Sequence, residues 1–170
     1  MPREGVFAKV LTGGVLHPGD ELVIEERKGN RPYRAAVITL SDKGSRGERI
    51  DESGPVIVGE LEKRGFEITE TLLLPDDEEQ LKKQLVRLSE QRRLDIIITT
   101  GGTGFAPTDI TPEATLAVAD RLVPGIAEAI RAESMRQTKR AIYSRAVSVL
   151  RKKTLIVNLP GSPKACRECL

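Results

Sequence analysis

Short apolar runs of strand length alternate along this chain with longer segments in which apolar residues recur every three or four positions. Arg34–Leu40 (RAAVITL), small and β-branched, predicts a buried strand. After a loop rich in glycine, serine and charge, 51–65 predicts a helix with Val58 and Leu61 among its apolar positions and Gly65 as its stop. The run 66–74 is the second strand, and 76–92 the second helix, with Leu81, Leu85 and Leu88 on one face. A third strand, 94–100, leads into a long loop. Thr111-Pro112-Glu113 then opens a helix: Thr can cap, Pro suits the first helical position, and Glu suits the positive helix end. Another helix runs from 125 to about 137. Two strands follow, 145–150 and Thr154–Leu159, joined by the basic turn Arg151-Lys152-Lys153, and Ser162-Pro163 opens a last short helix. Strands alternating with helices predict an α/β fold around a mostly parallel sheet with helices on its faces.

Residues 1–30 differ in kind. The stretches GVFAKVL and VLHPGDELVIEERKGN read as short strands joined by turns, with Pro18-Gly19 suited to a type II turn and Lys28-Gly29-Asn30 closing the piece. The expected organisation is a short β-rich N-terminal segment, too small to bury a core alone, followed by one domain over 31–170.

Composition narrows the function. The 27 basic and 25 acidic side chains leave +2, which argues against holding nucleic acid by bulk charge. Aromatic residues make up 3% with no Trp, so base-stacking platforms are scarce. The charges at Arg92-Arg93 and Arg151-Lys152-Lys153 read as a helix face and a hairpin turn rather than a nucleic-acid surface. Cys166 and Cys169 stand as C-R-E-C with the single His17 far away, so they read as two reduced thiols on a terminal helix rather than a zinc or redox site. No stretch approaches the ~18 apolar residues of a membrane span. The expectation is a soluble cytoplasmic protein with no membrane or nucleic-acid partner.

The candidate chemistry gathers around TTGGTGFAPTDITPEAT, residues 99–115. Ligands of open α/β sheets sit at the carboxyl ends of strands. Three polar or glycine-rich loops fall there: Ser41-Asp42, Gly101-Gly102-Thr103-Gly104 and Pro160-Gly161-Ser162. Glycines let successive backbone N–H groups turn inward as an anion nest, and Thr100, Thr103 and Ser162 add hydroxyls, so phosphate is the expected guest. No Walker A sequence is present, and the glycine spacing lacks the third glycine of the dinucleotide fingerprint. Asp76 and Asp77 follow the second strand; Asp109 and Glu113 flank the helix opening. The plainer reading makes Asp109 a turn former, Glu113 a first-turn acid and Asp76 a helix N-cap. For Asp76 and Asp109 together the functional reading is better, because acids beside a phosphate nest repel the guest unless a divalent cation such as Mg²⁺ mediates.

From about residue 34 to 170 the chain resembles the Mog/MoaB family of molybdenum cofactor biosynthesis proteins, the molybdopterin adenylyltransferases. The matching motifs are ITLSDKGSRG, LLLPDD, TTGGTGFAPTDITPEAT, YSRAV and LIVNLPGSPK. The resemblance implies a three-layer α/β sandwich, usually a homotrimer, that binds molybdopterin and transfers AMP from Mg·ATP to its terminal phosphate, releasing pyrophosphate. It implies that Asp76 and Asp109 match essential acids, both candidates for holding Mg²⁺. Gly101, Gly102, Thr103 and Gly104 would cradle the substrate, with Ser144, Asn158, Pro160, Gly161 and Ser162 completing the pocket. Other molybdenum cofactor biosynthesis proteins would be partners. Residues 1–30 resemble the closing strands of a MOSC domain. The chain stops at Leu170, inside its last predicted helix, where relatives continue, so substrate affinity or oligomer packing is expected to differ. The alternative is a MoaB-type protein that binds or carries molybdopterin without adenylating it.

Overall fold

The computed structural model describes residues 31–170 together with Val15, His17 and Gly19. The chain divides into two units, 1–30 and 31–170; apart from those three residues, the β-rich, MOSC-like segment expected over 1–30 lies outside the described residues.

In chain order the second unit consists of β1 (Arg34–Leu40), the single turn α1 (Asp42–Ser45), α2 (Ser53–Lys63), β2 (Glu67–Leu74), α3 (Glu78–Val86), β3 (Ile96–Thr100), α4 (Thr111–Ala117), β4 (Arg121–Leu122), α5 (Pro124–Gln137), β5 (Ser148–Arg151), β6 (Thr154–Leu159) and α6 (Pro163–Cys169). A π-helical turn, Arg87–Gln91, extends α3, and a 3-10 turn, Lys139–Tyr143, follows α5. The six strands form one sheet in the order β2-β1-β3-β6-β5-β4. β2, β1, β3 and β6 run parallel, while β5 pairs antiparallel with β6 and β4 antiparallel with β5.

The period of two along each strand divides the core. Ala36, Ile38 and Leu40 of β1, Ile97 of β3 and Ile156 of β6 face one layer, against Leu81 and Leu85 of α3, Leu88 beyond it, and Ala114 of α4. Ala35 and Val37, Ile98, and Val157 and Leu159 face the other, against Ile57 and Leu61 of α2 and Cys166 of α6. Each fully buried Leu or Ile contributes about 2–3 kcal/mol of transfer free energy, which is why these apolar stripes fix the three layers. Gly65, at φ 82°, ends α2 as expected.

The differences from the sequence reading are local. The second helix does not remain α-helical to 92, because its last turn widens to π geometry with Arg92 N bonded to Arg87 O. The strand expected over 145–150 begins only at Ser148, leaving Arg145, Ala146 and Val147 off the ladder. The antiparallel edge strand β4 has two residues, too short for any periodicity.

Candidate active site

All four parallel strands deliver their carboxyl ends to one rim. From there β1 continues towards α2 on one face of the sheet, and β3 towards α4 on the other, so neighbouring strands part company between Leu40 and Gly101. Such a switch point opens a crevice. Gly101 has φ 93°, and a Cβ there would overlap the Leu40 carbonyl oxygen, so only glycine lets the loop lie this close to β1. Gly102 has φ 61°; a Cβ there would stand 2.5 Å from Thr111 Oγ1 and 3.2 Å from Asp76 Oδ1.

Thr111 secures the turn. Its hydroxyl donates to Gly101 O at 2.8 Å and its backbone N–H to Gly102 O at 3.1 Å. It is the first residue of α4 rather than its cap, and Ile110 at the N-cap makes no side-chain bond. Thr100, expected to offer its hydroxyl to a ligand, donates instead to Pro160 O at 2.6 Å. That bond draws the Pro160-Gly161-Ser162 turn against the glycine loop, where a Cβ on Gly161 would lie 3.3 Å from Gly101 Cα. Ser162 caps α6 by accepting from Ala165 N at 3.2 Å. Ser41 does the same for α1, accepting from Gly44 N at 3.0 Å.

Acids border this turn, Asp76 beside Gly102 and Asp109 beside Gly104. Asp77, not Asp76, caps α3, accepting from Gln80 N at 2.9 Å. Its neighbour is thereby free to face the rim. Asp76 Oδ2 accepts from Asp42 N at 3.1 Å, and Asp42 Oδ1 accepts from Asp76 N at 3.0 Å. Burial pushes the Asp76 carboxyl above its ordinary value; the Asp42 N–H opposes this, while the negative charges of Asp42 and Asp109 reinforce it. Asp109 Oδ2 accepts from Ala106 N at 2.8 Å, and a Cβ on Gly104 would stand 2.9 Å from the same oxygen. The loop-forming role read for Asp109 is therefore present alongside its place near Asp76.

Among the described residues no group of three or more His, Cys, Asp or Glu side chains is arranged to enclose a metal. The donor set still fits Mg²⁺, which is held by one or two carboxylates and completes its octahedron with water and phosphate oxygens. Asp76 and Asp109 would be the protein's share, the first beside Gly102 and the second beside Gly104.

Two hollows adjoin the loop. One is bordered by Ser41, Asp51, Ser53, Gly101 and Gly161, the other by Thr103, Gly104, Ile130, Tyr143, Ser144 and Pro160. Phe105 and Tyr143 meet edge-on at 5.6 Å, both largely exposed. Asn158, expected to line the pocket, is fully buried. Its Nδ2 donates to Thr99 Oγ1 at 2.8 Å and Thr115 Oγ1 at 3.0 Å, while Oδ1 accepts from Val147 N at 3.2 Å, so it braces the site from beneath. Glu113 pairs with Arg145.

Two residues escaped the sequence reading. Asp51 accepts from Thr39 Oγ1 at 2.7 Å and from Ser53 N and Gly54 N at 3.0 Å, tying α2 to the rim. Arg145 bonds the glycine loop through both backbone and side chain. It stands inside the YSRAV motif, which was the available signal, but a basic residue in an expected strand gave no hint of direction.

Residues 36–170 match the family described as "Probable molybdopterin binding domain". The chain is 41% identical over 140 residues to the molybdopterin adenylyltransferase of Haemophilus influenzae, covering 81% of this chain and 71% of that one. The crystal structure of the molybdopterin biosynthesis enzyme MoaB from Thermus thermophilus superposes with a TM-score of 0.77 at 47% identity, covering 81% of this chain and 87% of that one. The tungsten cofactor synthesizing protein MoaB from Pyrococcus furiosus gives 0.72 at 32%, covering 83% and 89%.

Proposed function

The chain belongs to the molybdopterin-binding family of molybdenum cofactor biosynthesis proteins, and from that membership we propose that it is a molybdopterin adenylyltransferase. It binds molybdopterin at the rim formed by β1, β3 and β6 and transfers AMP from ATP to the terminal phosphate, releasing pyrophosphate. The observation that carries this reading is the placing of Asp76 beside Gly102 and of Asp109 beside Gly104, two acids along a backbone that can hold phosphate.

The reaction brings two polyanions together, so its demands are positioning and charge compensation. Gly101, Gly102 and Gly104 let the loop lie tight against Leu40, Thr111 and Asp109, while Thr111 bonds the carbonyls of Gly101 and Gly102 and Thr100 holds the Pro160 turn beside them. Mg²⁺ held by Asp76 and Asp109 would supply the positive charge that offsets the phosphates as negative charge builds up. The bond between the α-phosphorus and the bridging oxygen of ATP breaks as the molybdopterin phosphate oxygen forms its bond to that phosphorus. No side-chain nucleophile is required. Cys166, the one buried thiol near the rim, is pushed up to about 11 by burial and is unsuited to attack at neutral pH. A homotrimer, which the resemblance implies, belongs to the same reading; sedimentation of the full chain tests it.

The decisive assay is pyrophosphate release from Mg·ATP on adding molybdopterin. Release that depends on both substrates supports the enzyme; tight binding of molybdopterin with no release would make the protein a carrier.

A further inference from the structure

We propose that Arg145 is a positioning residue for the transfer step, clasping the 104–109 loop so that the Asp109 carboxylate stays fixed beside Gly104, and that Glu113 acts through it. This rests on the adenylyltransferase reading of the site. Arg145 lies just before β5, in a stretch that joins no ladder, and its backbone N–H donates to Thr103 O at 3.0 Å. Its guanidinium then closes the loop from both ends: Nε donates to Gly104 O at 2.6 Å and Nη2 to Asp109 O at 2.5 Å, while Nη1 pairs with Glu113.

Besides Arg145, the loop is held by the edge-on contact of Phe105 with Tyr143, both rings largely exposed. Phe105, Ala106, Pro107 and Thr108 are all exposed, so burial contributes little there. Inside the loop, Asp109 N donates to Ala106 O and Ala106 N to Asp109 Oδ2, both at 2.8 Å. Those two bonds shape the turn but do not tie it to the sheet. Arg145 does, because one rigid fork reaches two carbonyls and a carboxylate, a geometry that a lysine ammonium cannot reproduce. The Glu113 pair is itself partly exposed and adds little energy alone. Its effect is to hold the guanidinium flat against the loop. Glu113 is thereby assigned to orienting Arg145 rather than to touching substrate.

The test pairs amide hydrogen exchange on the ligand-free full chain with steady-state kinetics, for wild type, Arg145→Met, Arg145→Lys and Glu113→Gln. Arg145→Met should speed exchange of the Ala106 and Asp109 amides by about tenfold or more, with the sheet amides unchanged. Its kcat should fall by about a hundredfold while KM for molybdopterin stays within about twofold, the mark of lost positioning rather than lost binding. Arg145→Lys and Glu113→Gln should show the same pattern, more weakly, and they carry the comparison if the Met variant does not fold. Unchanged exchange in the loop would overturn the clasp. So would a raised KM for ATP at unaltered kcat, since the guanidinium would then be a direct phosphate contact. A wild-type chain that releases no pyrophosphate would refute the functional reading, while the exchange data would still decide the clasp.

Discussion

Asp42 and Asp76 are bound to one another reciprocally, each backbone N–H donating to the other's carboxylate at 3.1 and 3.0 Å. The pair staples the end of β2 to the turn after β1 and holds two acids at the switch point of the sheet. It also keeps Asp76 half-buried with Asp109 near by, an arrangement that is costly while no cation is bound.

That cost is measurable. Burial, with Asp42 and Asp109 adding to it, raises the Asp76 pKa in the folded state above its unfolded value. A raised carboxyl favours folding while it is protonated, and the benefit disappears as pH rises through the folded pKa. Asp76→Asn keeps an acceptor for Asp42 N but cannot ionise. Without divalent cations it should therefore gain in Tm relative to wild type as pH rises from about 4 to about 7.5. Added Mg²⁺ should raise the wild-type Tm and leave the variant unmoved. A Tm difference that does not change with pH would show that the Asp76 carboxyl is not raised by its surroundings.

Glycine substitutions separate backbone conformation from close approach. Gly65 has φ 82° with open space around it, so Gly65→Ala should cost only the left-handed penalty of about 1 kcal/mol. Gly101 has a similar φ but faces the Leu40 carbonyl. Gly101→Ala should lose at least twice as much stability by denaturant titration, and turnover with it. Equal losses would mean that the approach of the loop to β1 is not tight.

The layers, the mostly parallel sheet and the loops at its rim could all be read from the sequence, because strand parity and the spacing of Leu81, Leu85 and Leu88 are local signals. The destination of a side chain within those elements could not. Asn158 and Leu159 are sequence neighbours on opposite faces of β6, and parity sends Asn158 towards Thr99 and Thr115 under α4 rather than into the pocket. The choice between Asp76 and Asp77 as the cap was also open, since adjacent acids before a helix are equivalent until the backbone sets which one reaches Gln80 N. Arg145 belongs to the same class: the partners of its side chain lie 32 to 41 residues away, and no periodicity reports them.

Asn158→Ala should therefore act on stability. It strips partners from Thr99, Thr115 and Val147 N in the interior, a loss of about 3 kcal/mol in chemical denaturation. In the folded fraction, KM for molybdopterin should stay near the wild-type value. A large rise in KM with stability intact would return Asn158 to the pocket wall.

Cys166 and Cys169 both have raised thiols, Cys166 to about 11, chiefly through burial. Native protein at neutral pH should react with iodoacetamide far more slowly than unfolded protein, by about a hundredfold at Cys166. Fast native labelling of Cys166 would contradict its contacts with Pro160 O at 3.0 Å and Thr100 Oγ1 at 3.3 Å.

The central claim, that Asp76 and Asp109 serve adenylyl transfer at one site, is tested most directly by pyrophosphate release from Asp109→Asn at saturating Mg·ATP and molybdopterin. The substitution preserves size and the bond from Ala106 N but removes the charge. The expected variant is a folded protein that binds molybdopterin as well as wild type or better, with turnover reduced by about a hundredfold or more, ~2.7 kcal/mol of transition-state stabilisation. Asp76→Asn should match it, and the double variant should fall short of additivity. Near-normal pyrophosphate release from Asp109→Asn would contradict the account and leave Asp109 as a loop former only.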